Sequence, residues 1–88
     1  MYRYVVTYDL RTPGKDYSSL ISKIKTYSYS KICESVWIVK SNHSSSEVRD
    51  SLLNEIDYND RLFVAKLTGE AAWHNCIDST DNIKKILS

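Results

Sequence analysis

With 88 residues, 42% of them hydrophobic and 26% charged, the chain has the size and composition of one small folded domain, residues 1–88, not of a disordered polar tract. A formal net charge of +1 leaves no global nucleic-acid footprint. No apolar run is long enough to span a membrane and no signal segment precedes Tyr2, so the expectation is a cytoplasmic protein without a membrane partner.

In chain order, Tyr2–Asp9 predicts a strand. Tyr2, Tyr4, Val6 and Tyr8 lie on one face and Arg3, Val5, Thr7 and Asp9 on the other. Pro13-Gly14 marks a turn, and Asp16 can cap a helix with the apolar stripe Tyr17, Leu20, Ile21, Ile24 and Tyr27. Lys31–Lys40 reads as extended, either one long strand or two short ones broken near Glu34-Ser35. Val36–Val39 is apolar on both faces, which predicts cover on both. Ser44-x-x-Glu47 is a capping box opening a second helix with Val48, Leu52, Leu53 and Ile56 inward. Asp57–Asp60 is a turn, Arg61–Leu67 a strand ended by Thr68-Gly69, and a short third helix follows Ser79 with Ile83, Ile86 and Leu87 on its apolar side.

This order predicts an α+β, ferredoxin-like βαββαβ sandwich with a short C-terminal helix. Its two main helices can cover one sheet face only. Val36/Ile38 and Trp37/Val39 are nevertheless apolar on opposite faces, as are Leu62/Val64 and Phe63/Ala65. The segment Ala71–Leu87 can cover part of the second face. A symmetric partner is the economical cover for the rest, so a homodimer is expected.

Asp9, at the exit of the first strand, is the leading chemical candidate. A carboxylate there can bind Mg²⁺, and two copies meeting in a dimer could hold metal for attack on a phosphodiester. The other reading is an Asp that caps the Leu10–Thr12 turn. Arg11 and Lys15 in the following loop, together with Arg3, could contact phosphate, or be ordinary solvent-facing charges. Seven bases against three acids up to Ser44, and five against eight beyond, give the N-terminal half a possible basic surface, or simply solvated helix faces. Nothing in the sequence brings His43 and His74 together as an acid–base pair. Cys33, His43, His74 and Cys76 fit no zinc spacing, and each cysteine reads as a small buried hydrophobe. Trp37 and the tyrosines could stack on bases, but the basic-Gly-aromatic-Gly-aromatic pattern is absent, and Trp37 and Phe63 read as core or dimer interface. No glycine-rich phosphate cradle or nucleophile elbow is present.

Val5-Val6-Thr7-Tyr8-Asp9-Leu10, an amphipathic helix, Glu34-Ser35-Val36-Trp37, an Asp-rich turn and a last strand follow in an order that resembles the CRISPR-associated adaptation protein Cas-two and its superfamily, over roughly Tyr4 to Leu67. The likeness is strongest to the stand-alone SinR-like branch, through the Tyr-Asp-Leu-x-x-Pro-Gly turn and Leu67–Trp73, Leu-Thr-Gly-x-Ala-Ala-Trp. The resemblance implies a ferredoxin-like homodimer. It also implies either metal-dependent nuclease activity or a scaffold role without catalysis. Asp9 falls on the strand-one Asp of the family, Tyr8 on the preceding aromatic and Trp37 on the aromatic after Ser-Val. Ile38-Val39 after Trp37, and a helical tail in place of a strand crossing to the partner, depart from the CRISPR members and weaken the integrase-partner role.

The resulting expectation is a Mg²⁺-dependent endoribonuclease with Asp9 as catalytic, metal-binding carboxylate. Arg11, Lys15 and Arg3 would bind nucleic acid, and Tyr8 and Trp37 would sit at the dimer interface or in an aromatic core. The alternative is a non-catalytic dimeric scaffold binding RNA, DNA or a protein partner in phage defence or a toxin–antitoxin system.

Overall fold

The computed structural model describes all residues, Met1–Ser88. The elements run β1 (Tyr2–Asp9), α1 (Ser18–Ile24), β2 (Ser28–Cys33), β3 (Val36–Ser41), α2 (Ser45–Leu53), β4 (Arg61–Leu67) and α3 (Thr80–Leu87). The four strands form one sheet in the order β2-β3-β1-β4, with every neighbouring pair antiparallel. This is a small α+β fold compatible with the ferredoxin-like arrangement. The extended stretch from Lys31 is two strands, because Glu34-Ser35 turns β2 into β3, with a register shift between Lys31 and Cys33. No helix is long and apolar enough to cross a membrane.

The period-two alternation of β1 decides which face each residue meets. Tyr4 and Val6 are buried with Trp37 and Val39 of β3, under Leu20 and Ile24 of α1 and Val48 and Leu52 of α2. Tyr8, Leu62 and Val64 pack against this cluster from the sheet and Ile21, Tyr27 and Ile56 from above. α2 starts where its capping box dictates. The Ser44 hydroxyl accepts from the Glu47 N–H, and the Glu47 carboxylate accepts from the Ser44 N–H at 2.9 Å. α1 begins at Ser18, one residue after the predicted stripe starts. The Asp16 carboxylate accepts the Ser18 N–H at 2.9 Å, which holds that carboxyl below its usual range. Leu53 was expected inward but is exposed. One residue is 100° of helix turn, so Leu52 takes the core position and Leu53 is rotated out of it.

The other face, carrying Arg3, Val5, Thr7 and Asp9, receives α3 over β2 and β3. Ile83 and Ile86 are buried there beside Ile38. α3 is delimited by local chemistry, with the Ser79 hydroxyl accepting from the Asn82 N–H, Asp81 in the first turn and Lys84 and Lys85 in the last. Polar ties then fix it to the sheet. The Ser30 hydroxyl donates to the Asp78 carboxylate at 2.6 Å, and the Arg3 guanidinium donates to the Leu87 carbonyl. The expected partial cover of the second face by the C-terminal segment is therefore present. The β1–β4 half of that face stays open, with Phe63 61% exposed and Val5, Thr7 and Ala65 only half-buried.

Candidate functional site

Asp9 ends β1 directly opposite Arg61, the first residue of β4. Arg61 Nη1 lies 2.8 Å from Asp9 Oδ2, and both side chains are largely exposed. Asp9 makes no bond to the Leu10–Thr12 turn, so it is not a turn cap. It sits at the rim of the open sheet face, in a shallow depression of about 360 Å³ lined by Thr7, Tyr8, Asp9, Arg61, Leu62 and Phe63.

The turn after Asp9 is held from elsewhere. Asp60 Oδ1 accepts from the Arg11 N–H at 2.6 Å and from the Tyr17 hydroxyl at 2.9 Å, while its Oδ2 takes the Asp57 N–H at 2.8 Å. Asp57 accepts from the Thr12 hydroxyl at 2.9 Å and pairs with Lys15 Nζ at 2.7 Å. Desolvation pushes the Asp60 carboxyl up, but its N–H and hydroxyl donors outweigh this and hold it below the ordinary value. The bonds from Lys15 and Thr12 hold Asp57 low, and Asp57 in turn raises Lys15. These two aspartates clasp the turn that leads from β1 into α1. In the sequence, Asp57–Asp60 announces only a turn. The spacing i, i+3 of two carboxylates was the available signal, but their partners lie more than forty residues away.

The three candidate bases do not converge. Arg3 stands at the opposite end of β1, across from Lys40 and Leu67, and ties down the C-terminus of α3. It therefore does not belong to a site at Asp9, because strand rise places positions 3 and 9 about 20 Å apart. Lys15 is committed to Asp57. Arg11 uses its backbone N–H for Asp60, and its exposed guanidinium has no carboxylate partner. Among the three, Arg11 alone is both at the Asp9 end and free to meet an anion. Arg61, which the sequence reading left unassigned, is the base in contact with Asp9.

Tyr8 and Trp37 resolve as aromatic core. Trp37 is 1% exposed on the helix-covered face and donates its indole N–H to the Tyr8 hydroxyl at 3.0 Å. Phe63 is the large aromatic on the open face. His43 lies beside Glu47 at 3.6 Å, and no bond links it to His74. No group of three or more His, Cys, Asp or Glu residues is placed to hold a metal ion. One chain therefore supplies a single carboxylate at this rim, with Oδ2 taken by Arg61 and Oδ1 unbonded. Mg²⁺ accepts as few as one or two carboxylates and keeps its waters, so the donor set of one chain fits half of such a site.

No family profile matches the chain. A solved structure similar to it is that of the hypothetical protein TT1823 from Thermus thermophilus, with a TM-score of 0.67 and 18% sequence identity over 84% of this chain and 90% of that one. At that identity the likeness shows the fold alone.

Proposed function

We propose that the chain acts in the cytoplasm as a homodimer paired through the open half of its second sheet face, and that Asp9 from each copy binds Mg²⁺ at the shared rim to cleave RNA phosphodiester bonds. The observation that carries this reading is the position of Asp9: exposed, at a strand end, beside Phe63 on the one apolar surface that α3 leaves open. A second copy is the occupant favoured by charge. Asp9 and Arg61 lie side by side, so an isologous pairing can set Asp9 of each copy against Arg61 of the other while burying Phe63. The resemblance to the Cas-two superfamily supports the same reading. Bound Mg²⁺ would supply electrophilic activation of the phosphodiester and of a water. The residues of the chain would orient the metal through Asp9 and hold a phosphate oxygen through the Arg11 guanidinium.

A second reading is a dimeric scaffold that binds nucleic acid or a protein partner in a defence or toxin–antitoxin system without cleaving anything. The Asp9–Arg61 ion pair favours it, because it already neutralises the one carboxylate that a metal would use.

The two readings separate in one experiment. Mass by light scattering is measured for the wild type and Phe63→Glu, and cleavage of single-stranded RNA with Mg²⁺ or EDTA is followed for the wild type, Asp9→Ala and Phe63→Glu. The nuclease reading expects a dimer that Phe63→Glu dissociates. It also expects an EDTA-sensitive cleavage that falls at least 100-fold in Asp9→Ala and in the monomeric variant. Salt-dependent RNA binding by the dimer without cleavage establishes the scaffold. A wild-type monomer ends both.

A further inference from the structure

The segment between β4 and α3 is tied to the edge strand β2 by two backbone hydrogen bonds beside the two cysteines of the chain. The Ile77 N–H donates to the Ile32 carbonyl at 3.0 Å, and the Asp78 N–H donates to the Lys31 carbonyl at 3.1 Å. The two donors are successive N–H groups at a bend of the segment, and the two acceptors sit at the irregularity of β2 between Lys31 and Cys33, so the contact is local to the cysteines and not a regular ladder. The geometry is tighter than sequence numbers suggest. The Ile32 carbonyl belongs to the peptide that enters Cys33, and the Ile77 N–H belongs to the peptide that leaves Cys76. A single hydrogen bond thus joins the peptide units of the two residues. Planar trans peptides joined by one such bond place these two Cα atoms about 4–6 Å apart, a range that overlaps the roughly 4.4–6.8 Å that a disulfide bridges.

The surroundings hold this approach in place. Asn75 takes a left-handed φ of 55° immediately before Cys76 and turns the chain back toward β2. On the other side, Asp78 is bonded to Ser30, and Trp73 Nε1 donates to Thr80 Oγ1 at 3.3 Å. Both thiols are free. Cys33 is exposed and Cys76 is half-exposed, so a small oxidant can reach them.

We infer that Cys33 and Cys76 are a dithiol pair that a low-molecular-weight disulfide oxidises to an intramolecular bond, stapling the segment before α3 to the edge of β2. The Cys33 thiolate attacks the oxidant disulfide, releasing one small thiol and leaving a mixed disulfide. The Cys76 thiolate then attacks the Cys33 sulfur, expelling the second small thiol. The chain loses two protons and two electrons, and the oxidant becomes two thiols. In a reducing cytoplasm the pair rests open and closes when the thiol pool is oxidised. The closed form fixes α3 on the half of the second face that it covers.

The test uses the full chain in mixtures of oxidised and reduced glutathione, with non-reducing peptide mapping by mass spectrometry and thermal melting. The expected product is a monomeric Cys33–Cys76 cross-link, lighter by two hydrogens, whose yield at a given glutathione ratio is at least 10-fold higher in the folded chain than in denaturant. The oxidised chain should melt about 10 °C or more above the reduced one. Cys33→Ser and Cys76→Ser, both at accessible positions, should lose the cross-link and the shift while keeping the fold. Glutathione adducts at each cysteine without cross-linking, links between chains only, or equal yields folded and denatured would each overturn the inference.

Discussion

On one face of the sheet, Tyr4, Val6, Trp37 and Val39 lie almost wholly buried under α1 and α2. On the other, α3 covers only the β2–β3 half and leaves Phe63 61% exposed. The difference follows from dimensions. A helix with its side chains is about 10 Å across and neighbouring strands are about 4.8 Å apart, so one helix roofs roughly two strands. Two helices suffice for four strands, and one does not. The residues reflect the same division. The covered face carries the large interlocking side chains, whereas the second face carries a mixture: Ile38 under α3, then Thr7, Phe63 and the Asp9–Arg61 pair in the open. The candidate chemistry therefore lies where packing is incomplete.

The sharpest way to break this contrast is to delete one aromatic from each face. Trp37→Ala should cost about 3–5 kcal/mol, because it empties a dry site and strips Tyr8 of its hydrogen-bond donor. Phe63→Ala should cost the isolated monomer less than about 1 kcal/mol, since most of the ring already meets water. Urea unfolding at low protein concentration, below any dimer affinity, measures both. Equal losses would mean that the second face is packed as tightly as the first.

A smaller effect tests how α3 is held. Ser30→Ala removes the donor that does most to keep the Asp78 carboxyl below its ordinary value. It should cost about 1–2 kcal/mol. The loss should be local, with amide exchange in α3 speeding up while the amides of β1 stay protected. Uniform loss of protection would show instead that both faces unfold as one unit.

The elements that the sequence announced are those with a strong local signal. Alternation marked β1, the capping box marked α2 and the apolar spacing of Ile83, Ile86 and Leu87 marked α3, and all three stand where their residues put them. Asp9 was legible as a strand-end carboxylate, but its partner was not. Arg61 is fifty-two positions away, and only the antiparallel register of β1 with β4 sets them opposite. Arg3 was grouped with Arg11 and Lys15 because they are near in sequence, yet a strand separates its ends as fast as any structure can. The cysteines were read as buried hydrophobes on residue type alone. Their actual setting, at an edge and on a crossing segment, depends on a long-range pairing that leaves no periodic trace.

The smallest expected effect distinguishes the tether of the covered face from its packing. Asp57 and Asp60 clasp the Leu10–Tyr17 turn that delivers α1 to that face. Both carboxyls are held below the ordinary 3.8, Asp57 by Lys15 and Thr12, and Asp60 by its N–H and hydroxyl donors in spite of desolvation. A lowered folded pKa means that the native chain resists protonation more than the unfolded one. The stabilisation is then complete above pH 3.8 and is lost as pH falls through the lower folded values. Lys15, raised above 10.5 chiefly by Asp57, works in the opposite sense: its share is complete below 10.5 and is lost as pH rises through the folded value. Asp60→Asn should therefore melt a few degrees below the wild type at pH 7, and the gap should narrow as pH falls below 3.8 and close where the folded wild-type carboxylate is itself protonated. A gap in Tm that stays constant from pH 7 to pH 2.5 would show that Asp60 acts through shape and not charge, and the clasp would then be one more piece of packing on the covered face.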